Sequence, residues 1–243
     1  MNDFTAYTNA GNREINEDYL SFYTEDDKYC FVIADGLGGE GQGDKASLFV
    51  CNNTVMLAEK AEKLDTEFVK HCFATVQKNL LRAKAKLGFS SEMSSTLSIL
   101  VFDKNLASWG HIGDSRIYSF DGNGPLSVTT DHSLAQLMIS NGLSELHDPR
   151  QHPDRSTLLA AMGIESLSDS YDIDGDSYPV EPGCAFLMCT DGFWQWLHAD
   201  EMYSIIATQP DSESALAKMV ELAEKRSVGQ DCDNISAILI EVR

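Results

Sequence analysis

Residues 31–47 read FVIADGLGGEGQGDKAS, and the fold turns on what this stretch is for. An apolar run of strand type stops at Asp35, and five glycines follow within eight residues before a helical pattern begins at Gly43. Gly36, Gly38 and Gly41 satisfy G-x-G-x-x-G, the spacing with which a strand-to-helix turn cradles a dinucleotide pyrophosphate. That use needs a βαβ unit of about 30 residues whose second strand ends in an acid for the ribose. Here the helix after Gly43 runs into a second helical pattern, and the next strand-like run starts only near Thr96. An ionised Asp35 directly before the first glycine also repels a phosphate. The loop is better suited to something an acid attracts.

Working outward, strand-like runs lie at 19–23, 29–34, 96–102, 106–110, 116–120, 185–189 and 235–242. Between the second and third, one helical pattern covers about 43–63, with Ala46, Phe49, Val50 and Leu57 on one side. A second repeats Val69, Cys72, Phe73, Val76, Leu80, Ala83 and Leu87 along one face, with Lys and Arg opposite. A last helix follows the turn at Pro210 and Asp211, with Leu216, Met219, Val220 and Ala223 as its buried stripe. The strand runs from 96 to 120 are separated by short turns, which suits antiparallel neighbours. Helices come in pairs rather than one after each strand, so the class is α+β: an antiparallel sheet core with helices outside. Residues 1–243 read as one domain, and the polar stretch 132–163 as a helix followed by a surface flap.

The chain carries 38 acids against 18 bases, a formal net charge of −20. A surface of that sign repels nucleic acid and anionic membrane, so neither is expected as a partner. Six cysteines show no C-x-x-C and no zinc-type spacing, and several sit inside apolar runs as small hydrophobes. The first residues lack the basic and apolar regions of a secretory signal, and no run approaches the roughly 20 apolar residues of a membrane span. The expectation is a cytoplasmic protein with reduced thiols.

The acids recur at strand ends. Asp35 closes YCFVIAD and Asp191 closes AFLMCTD, each followed by glycine, and Asp114 ends ASWGHIGD. Asp233 opens the last strand, while Glu17 and Asp18 open the first in NEDYLSFY. In an antiparallel sheet the end of one strand lies beside the start of its neighbour, so these acids are expected to converge on one rim. Clustered carboxylates raise one another's pKa, and hard divalent cations such as Mg²⁺ or Mn²⁺ resolve the conflict with oxygen ligands. Gly36, having no side chain, lets its carbonyl approach such an ion. For any single Asp-Gly pair a plain turn is the commoner explanation.

Eight pieces in order, GNREINED, VIADGLGGEGQGDKAS, SSTLSILVFD, GHIGDSRIYSF, DHSLAQ, LLAAMG, MCTDGFW and DCDNISAILI, resemble the metal-dependent serine/threonine protein phosphatases of type 2C, especially bacterial members. The resemblance covers nearly the whole chain. It implies an α/β/β/α sandwich, two antiparallel sheets flanked by helix pairs, with two cations at one end. By motif, it implies that Asp35 bridges the two ions, Asp191 and Asp233 complete one site, and Glu17 with the Gly36 carbonyl serves the other. Asp18 then holds water from one layer back, and Arg13 binds the substrate phosphate with its planar fork. The implied chemistry is hydrolysis of phosphoserine and phosphothreonine by a water acidified between two cations about 3.5–4 Å apart. Arg13, Asp35 and Asp191 are the catalytic candidates, with no need for Cys189 as nucleophile. Phosphoproteins are the implied substrates, opposing a serine/threonine kinase, with the enzyme acting as a monomer. Two other readings keep the same centre: a regulatory or phosphopeptide-binding relative without turnover, and a phosphohydrolase for a small metabolite.

The chain departs from the family pattern in places. Leu37 stands where many relatives carry a histidine after the bridging Asp-Gly, so the source of the leaving-group proton is not named. His132 is expected to cap the helix that follows it. Asp114 and Asp191 match a third cation site, but Gln195 replaces an acid that some members add, so a weak third site is expected. Ser94 and Ser95 replace the usual Gly-Thr, and RSTLLAAMG keeps only part of the usual flap-side pattern.

Overall fold

Apolar runs without polar alternation belong to strands covered on both faces, and the fold follows from that. The computed structural model describes residues 2–37, 42–87, 93–165, 172–173 and 178–243. The chain opens with β1 (Asn2–Asn9), β2 (Asp18–Glu25) and β3 (Lys28–Leu37), then helices α1 (Gly43–Ala58) and α2 (Thr66–Leu87). The strands β4 (Ser94–Ser95), β5 (Leu97–Asp103), β6 (Leu106–Ile112), β7 (Arg116–Asp121) and β8 (Gly124–Val128) come next. Helix α3 (Leu134–Ser140) precedes the short β9 (Asp172–Ile173) and β10 (Tyr178–Pro179), then β11 (Ala185–Cys189). Helices α4 (Asp191–Trp194), α5 (Ala199–Thr208) and α6 (Ser212–Ser227) lead into β12 (Ile235–Val242).

One sheet has the order β1-β12-β11-β7-β8 and the other β10-β6-β5-β3-β2, with antiparallel pairing throughout the described strands. Period-two alternation sorts each strand between two cores. In β3, Tyr29, Phe31 and Ile33 face the second sheet, while Cys30, Val32 and Ala34 face α1 and α2. In β12, Ile238, Ile240 and Val242 face inward, while Ala237 and Leu239 pack on the helices α4–α6. The inter-sheet layer is knit by edge-to-face rings, with Phe102 5.4 Å from Phe186 and 6.1 Å from Phe31. The result is the expected α/β/β/α layering.

Several elements were not anticipated. β1 and β8 are edge strands, and β8 is mostly exposed and contains Pro125, so neither carries a buried apolar run. α5 was also missed. α1 stops at Ala58 rather than near residue 63, because the chain turns to bury Leu64, whose N–H donates to Asp103. Asp65 then accepts from the Phe68 N–H and starts α2. Within 132–163, the excursion returns to the core before its expected end: Ala160, Ala161 and Met162 are buried, and Met162 pairs with Ser95. Of the glycine-rich loop, Gly38, Gly39 and Gly41 lie outside the described residues.

Candidate metal centre

Register brings the first two acids together. Asp18, opening β2, lies directly opposite Asp35 near the end of β3. The Asp35 backbone is pinned on its other side by Thr96, whose hydroxyl accepts from the Asp35 N–H and whose N–H donates to the Asp35 carbonyl, both at 2.8 Å. The Glu17 carbonyl accepts from the Gly36 N–H at 3.0 Å and from the Ser47 hydroxyl of α1 at 2.6 Å. A Cβ on Gly36 would sit 2.1 Å from the Gly43 carbonyl oxygen, and one on Gly43 would sit 2.6 Å from Glu17 Oε1. These two glycines let the start of α1 close against the end of β3 and the Glu17 carboxylate.

The other acids arrive from the second sheet. Asp191 begins α4 just past β11, and Asp233 sits two residues before β12. Gly192 allows that approach, since a Cβ there would meet the Asn234 carbonyl oxygen at 2.0 Å. Asn234 is the knot of the site. Its side-chain oxygen accepts from the Glu17 N–H at 2.7 Å, and its amide donates to the carbonyls of Ala10 at 2.9 Å and Ile15 at 3.1 Å. The loop carrying Arg13 and Glu17 is thereby tied to Asp233. Thr190 donates its hydroxyl to Asp18 Oδ2 at 2.8 Å.

Arg13, Glu17, Asp35, Gly36, Asp114, Asp191 and Asp233 all line one cavity of about 480 Å³. Asp18 lies behind it, 5% exposed, and its Oδ1 has no hydrogen-bond partner among the described residues. Arg13 forks Asp233, with Nε 3.2 Å from Oδ1 and Nη2 3.1 Å from Oδ2, and reaches Asp231 at 3.6 Å. No histidine is among the described residues lining the cavity, and Leu37 stands at its wall.

The carboxylates crowd one another. Burial first, then Asp18, Asp191, Asp114 and Asp233, hold the Asp35 carboxyl well above the ordinary range. Burial and then Asp191 and Asp131 do the same for Asp114, against Arg116. Burial, then Asp233, lifts Asp191 to about 6. Burial lifts Asp18 to about 7, against the hydroxyls of Ser236 and Thr190 and with Asp191 and Asp233 adding to it. Burial also raises Glu17, opposed by the Gly43 N–H.

Among the described residues, the donor set fits hard divalent cations: carboxylates and a backbone carbonyl, no thiolate, an unpartnered buried oxygen on Asp18, and a glycine cradle that keeps side chains out. Among the described residues, no three such side chains are gathered tightly enough to ligate one ion as they stand. The fit is one of donor chemistry and placement.

The surrounding frame is rigid. Arg116 is buried, makes two 2.7 Å hydrogen bonds to Asp131, and stacks 3.5 Å from the centre of the Trp194 ring. Trp194 in turn donates its indole N–H to the Asp114 carbonyl at 2.9 Å. Arg116→Met is expected to destabilise the protein by about 3–5 kcal/mol, because it strands the buried Asp131 carboxylate. Urea unfolding at neutral pH measures this, and a loss under 1 kcal/mol would show the pair to be dispensable.

Three other residues differ from or refine their sequence reading. His132 does not cap α3, since Ser133 does so by accepting from the Gln136 N–H. The His132 ring instead accepts from the Gly113 N–H through Nδ1 at 3.1 Å. Cys189 is fully buried and burial pushes its thiol up, so it is inert. Gln195 accepts from Arg155 at 3.4 Å. Sequence reasoning missed Asn234, Thr96 and Thr190 as supports. Their only signal was a polar residue beside an acid or inside an apolar run.

The family described as Protein phosphatase 2C matches residues 7–235. A serine/threonine phosphatase stp of Listeria welshimeri is 28% identical over 239 residues, covering 94% of this chain and 91% of that protein. The S. agalactiae serine/threonine phosphatase structure superposes with a TM-score of 0.87 at 19% identity, covering all of both chains. The catalytic domain of the phosphatase PstP, solved in complex with two manganese ions, gives a TM-score of 0.80 at 20% identity, over 99% of this chain and 97% of that one.

Proposed function

We propose that this chain, which belongs to the protein phosphatase 2C family, removes phosphate from phosphoserine and phosphothreonine in proteins at the cavity described above. It is a manganese- or magnesium-dependent serine/threonine phosphatase, a hydrolase. The observation that carries the assignment of residues is the meeting of six oxygen-donor positions, from both sheets, at one cavity that also holds an arginine fork.

When bound, a pair of such ions supplies an acidified water as nucleophile and positive charge for the phosphoryl oxygens. Asp35, Asp191 and Asp233 would hold one ion in this reading, and Asp35, Glu17 and the Gly36 carbonyl would hold the other. Asp114 with Asp191 provides a weak third position, since Gln195 brings an amide where an acid would help. Asp18, one layer back, accepts a proton or a water hydrogen at its unpartnered Oδ1. Arg13 orients the substrate phosphate with two parallel N–H groups, Nε and Nη2, once it releases the Asp233 carboxylate that they hold in this structure.

The substrates are proteins phosphorylated by a serine/threonine kinase, which the enzyme opposes. The relatives named above, as serine/threonine phosphatases, support phosphoprotein substrates. The protein acts as a monomer in this reading. It acts in the cytoplasm, in keeping with the absence, among the described residues, of a helix long and apolar enough to cross a membrane.

Purified protein with Mn²⁺ is expected to release phosphate from a phosphothreonine peptide and to stop on addition of EDTA. No release under saturating Mn²⁺ would refute the hydrolytic reading. Arg13→Lys is expected to lower kcat/KM by about 10²-fold, because one point charge replaces a two-pronged donor. An Arg13→Lys enzyme within twofold of the parent would remove Arg13 from phosphate binding.

A further inference from the structure

We infer that His132 is a positioning residue that couples the excursion carrying Ser156 and Leu158 to the loop carrying Asp114. Asp114 follows Gly113, whose φ of +102° and 2.5 Å approach of a would-be Cβ to Thr96 Cγ2 leave no room for a side chain. His132 holds this peptide at both ends. Its backbone N–H donates to the Gly113 carbonyl at 2.9 Å, and its Nδ1 accepts from the Gly113 N–H at 3.1 Å. The ring is stacked 4.7 Å from that of His111, which is itself buried and lies 2.8 Å from the Thr130 carbonyl oxygen.

The same residue reaches the other way. The His132 carbonyl accepts from the Leu159 N–H at 2.8 Å, and the next two residues continue the contact. Ser133 bridges to Leu158, and the Leu134 N–H donates to the Thr157 carbonyl at 2.8 Å. Ser156 and Leu158 line the cavity that Asp114 also lines. Among the described residues, the Asp114 loop is also bonded by Trp194 of α4, Ser98 of β5 and Thr96, which lies between β4 and β5. His132 is therefore the direct link by which a shift of 157–159, such as an arriving substrate would cause, is felt at Asp114; the Met162–Ser95 pairing reaches the same loop only through Thr96. Only the last step, an effect on cation use, rests on the function proposed above.

The test compares His132→Leu with His132→Asn in the full chain. Both remove the imidazole stack, but asparagine Oδ1 can still accept from the Gly113 N–H and leucine cannot. In metal-free protein, amide exchange at Gly113 and at Leu159 is expected to accelerate together by about tenfold or more in His132→Leu, and to stay near the parent in His132→Asn. Half-saturating Mn²⁺ for turnover is expected to rise in the leucine variant and to recover in the asparagine variant. Equal acceleration in both variants, or acceleration at Gly113 without Leu159, would overturn the coupling. Absence of Mn²⁺-dependent turnover in the parent would instead overturn the hydrolytic reading, leaving the exchange measurement to decide this one.

Discussion

Asp35→Asn is expected to lower manganese-dependent turnover by about 10³-fold or more, while leaving the metal-free protein at least as stable as its parent. The two halves come from one fact. Asp35 faces Asp18 across the β2–β3 ladder and is raised by burial and by four neighbouring carboxylates. Its charge opposes folding in the absence of a cation, and an amide of the same shape removes that charge. The bonds that pin residue 35 to Thr96 are backbone bonds, which the substitution does not touch. A buried polar residue with a structural role behaves otherwise, since its replacement typically costs about 1 kcal/mol or more. Turnover on a phosphothreonine peptide and thermal unfolding in EDTA, measured on one preparation, decide between them. Retained activity, or a lost fold, would remove Asp35 from the ion-binding role.

Metal-free protein is expected to lose stability as pH rises from about 4 to about 7, and divalent cation to restore it. A carboxyl whose folded pKa lies above its unfolded value of about 3.9 keeps its proton longer in the fold than in the unfolded chain. Between those two values the folded state binds more protons, so raising the pH destabilises it. Asp18, at about 7, and Asp191, at about 6, set the window, with Asp35 and Asp114 shifted the same way. The penalty is absent below about pH 4 and reaches several kcal/mol near neutrality. EDTA-treated protein should melt several degrees lower at about pH 7.5 than at about pH 5.5. Saturating Mn²⁺ should cancel the difference. General repulsion from a net charge of −20 has the same sign. Asp18→Asn separates the two causes, because it flattens the slope only if the cluster produces it. A slope unchanged by that substitution would contradict the electrostatic picture of the site.

The sequence disclosed most where both faces of a strand are buried. Residues 29–34 and 235–242 are apolar at nearly every position because alternate side chains enter two different cores. β8 stayed hidden because its side chains face solvent and Pro125 interrupts it, and β1 because an edge strand needs no continuous apolar run. At the site, Asp35 and Asp18 were legible as acids at a strand's end and a strand's start, which antiparallel pairing sets face to face. Asn234 was not, since its three bonds reach residues 10–17, more than 200 positions away. His132 was assigned to the helix beside it because local pattern favours local bonds. Its actual partner, Gly113, is 19 residues back and offers only a backbone.

The central claim is that acids from separate strands share a pair of cations at one rim. Anomalous diffraction from crystals grown with Mn²⁺ tests it most directly. The expected result is two manganese positions about 3.5–4 Å apart, both touched by Asp35, one also by Asp191 and Asp233 and the other by Glu17 and the Gly36 carbonyl. Manganese found elsewhere, or no ion contacted by residues 35, 191 and 233 together, would contradict it.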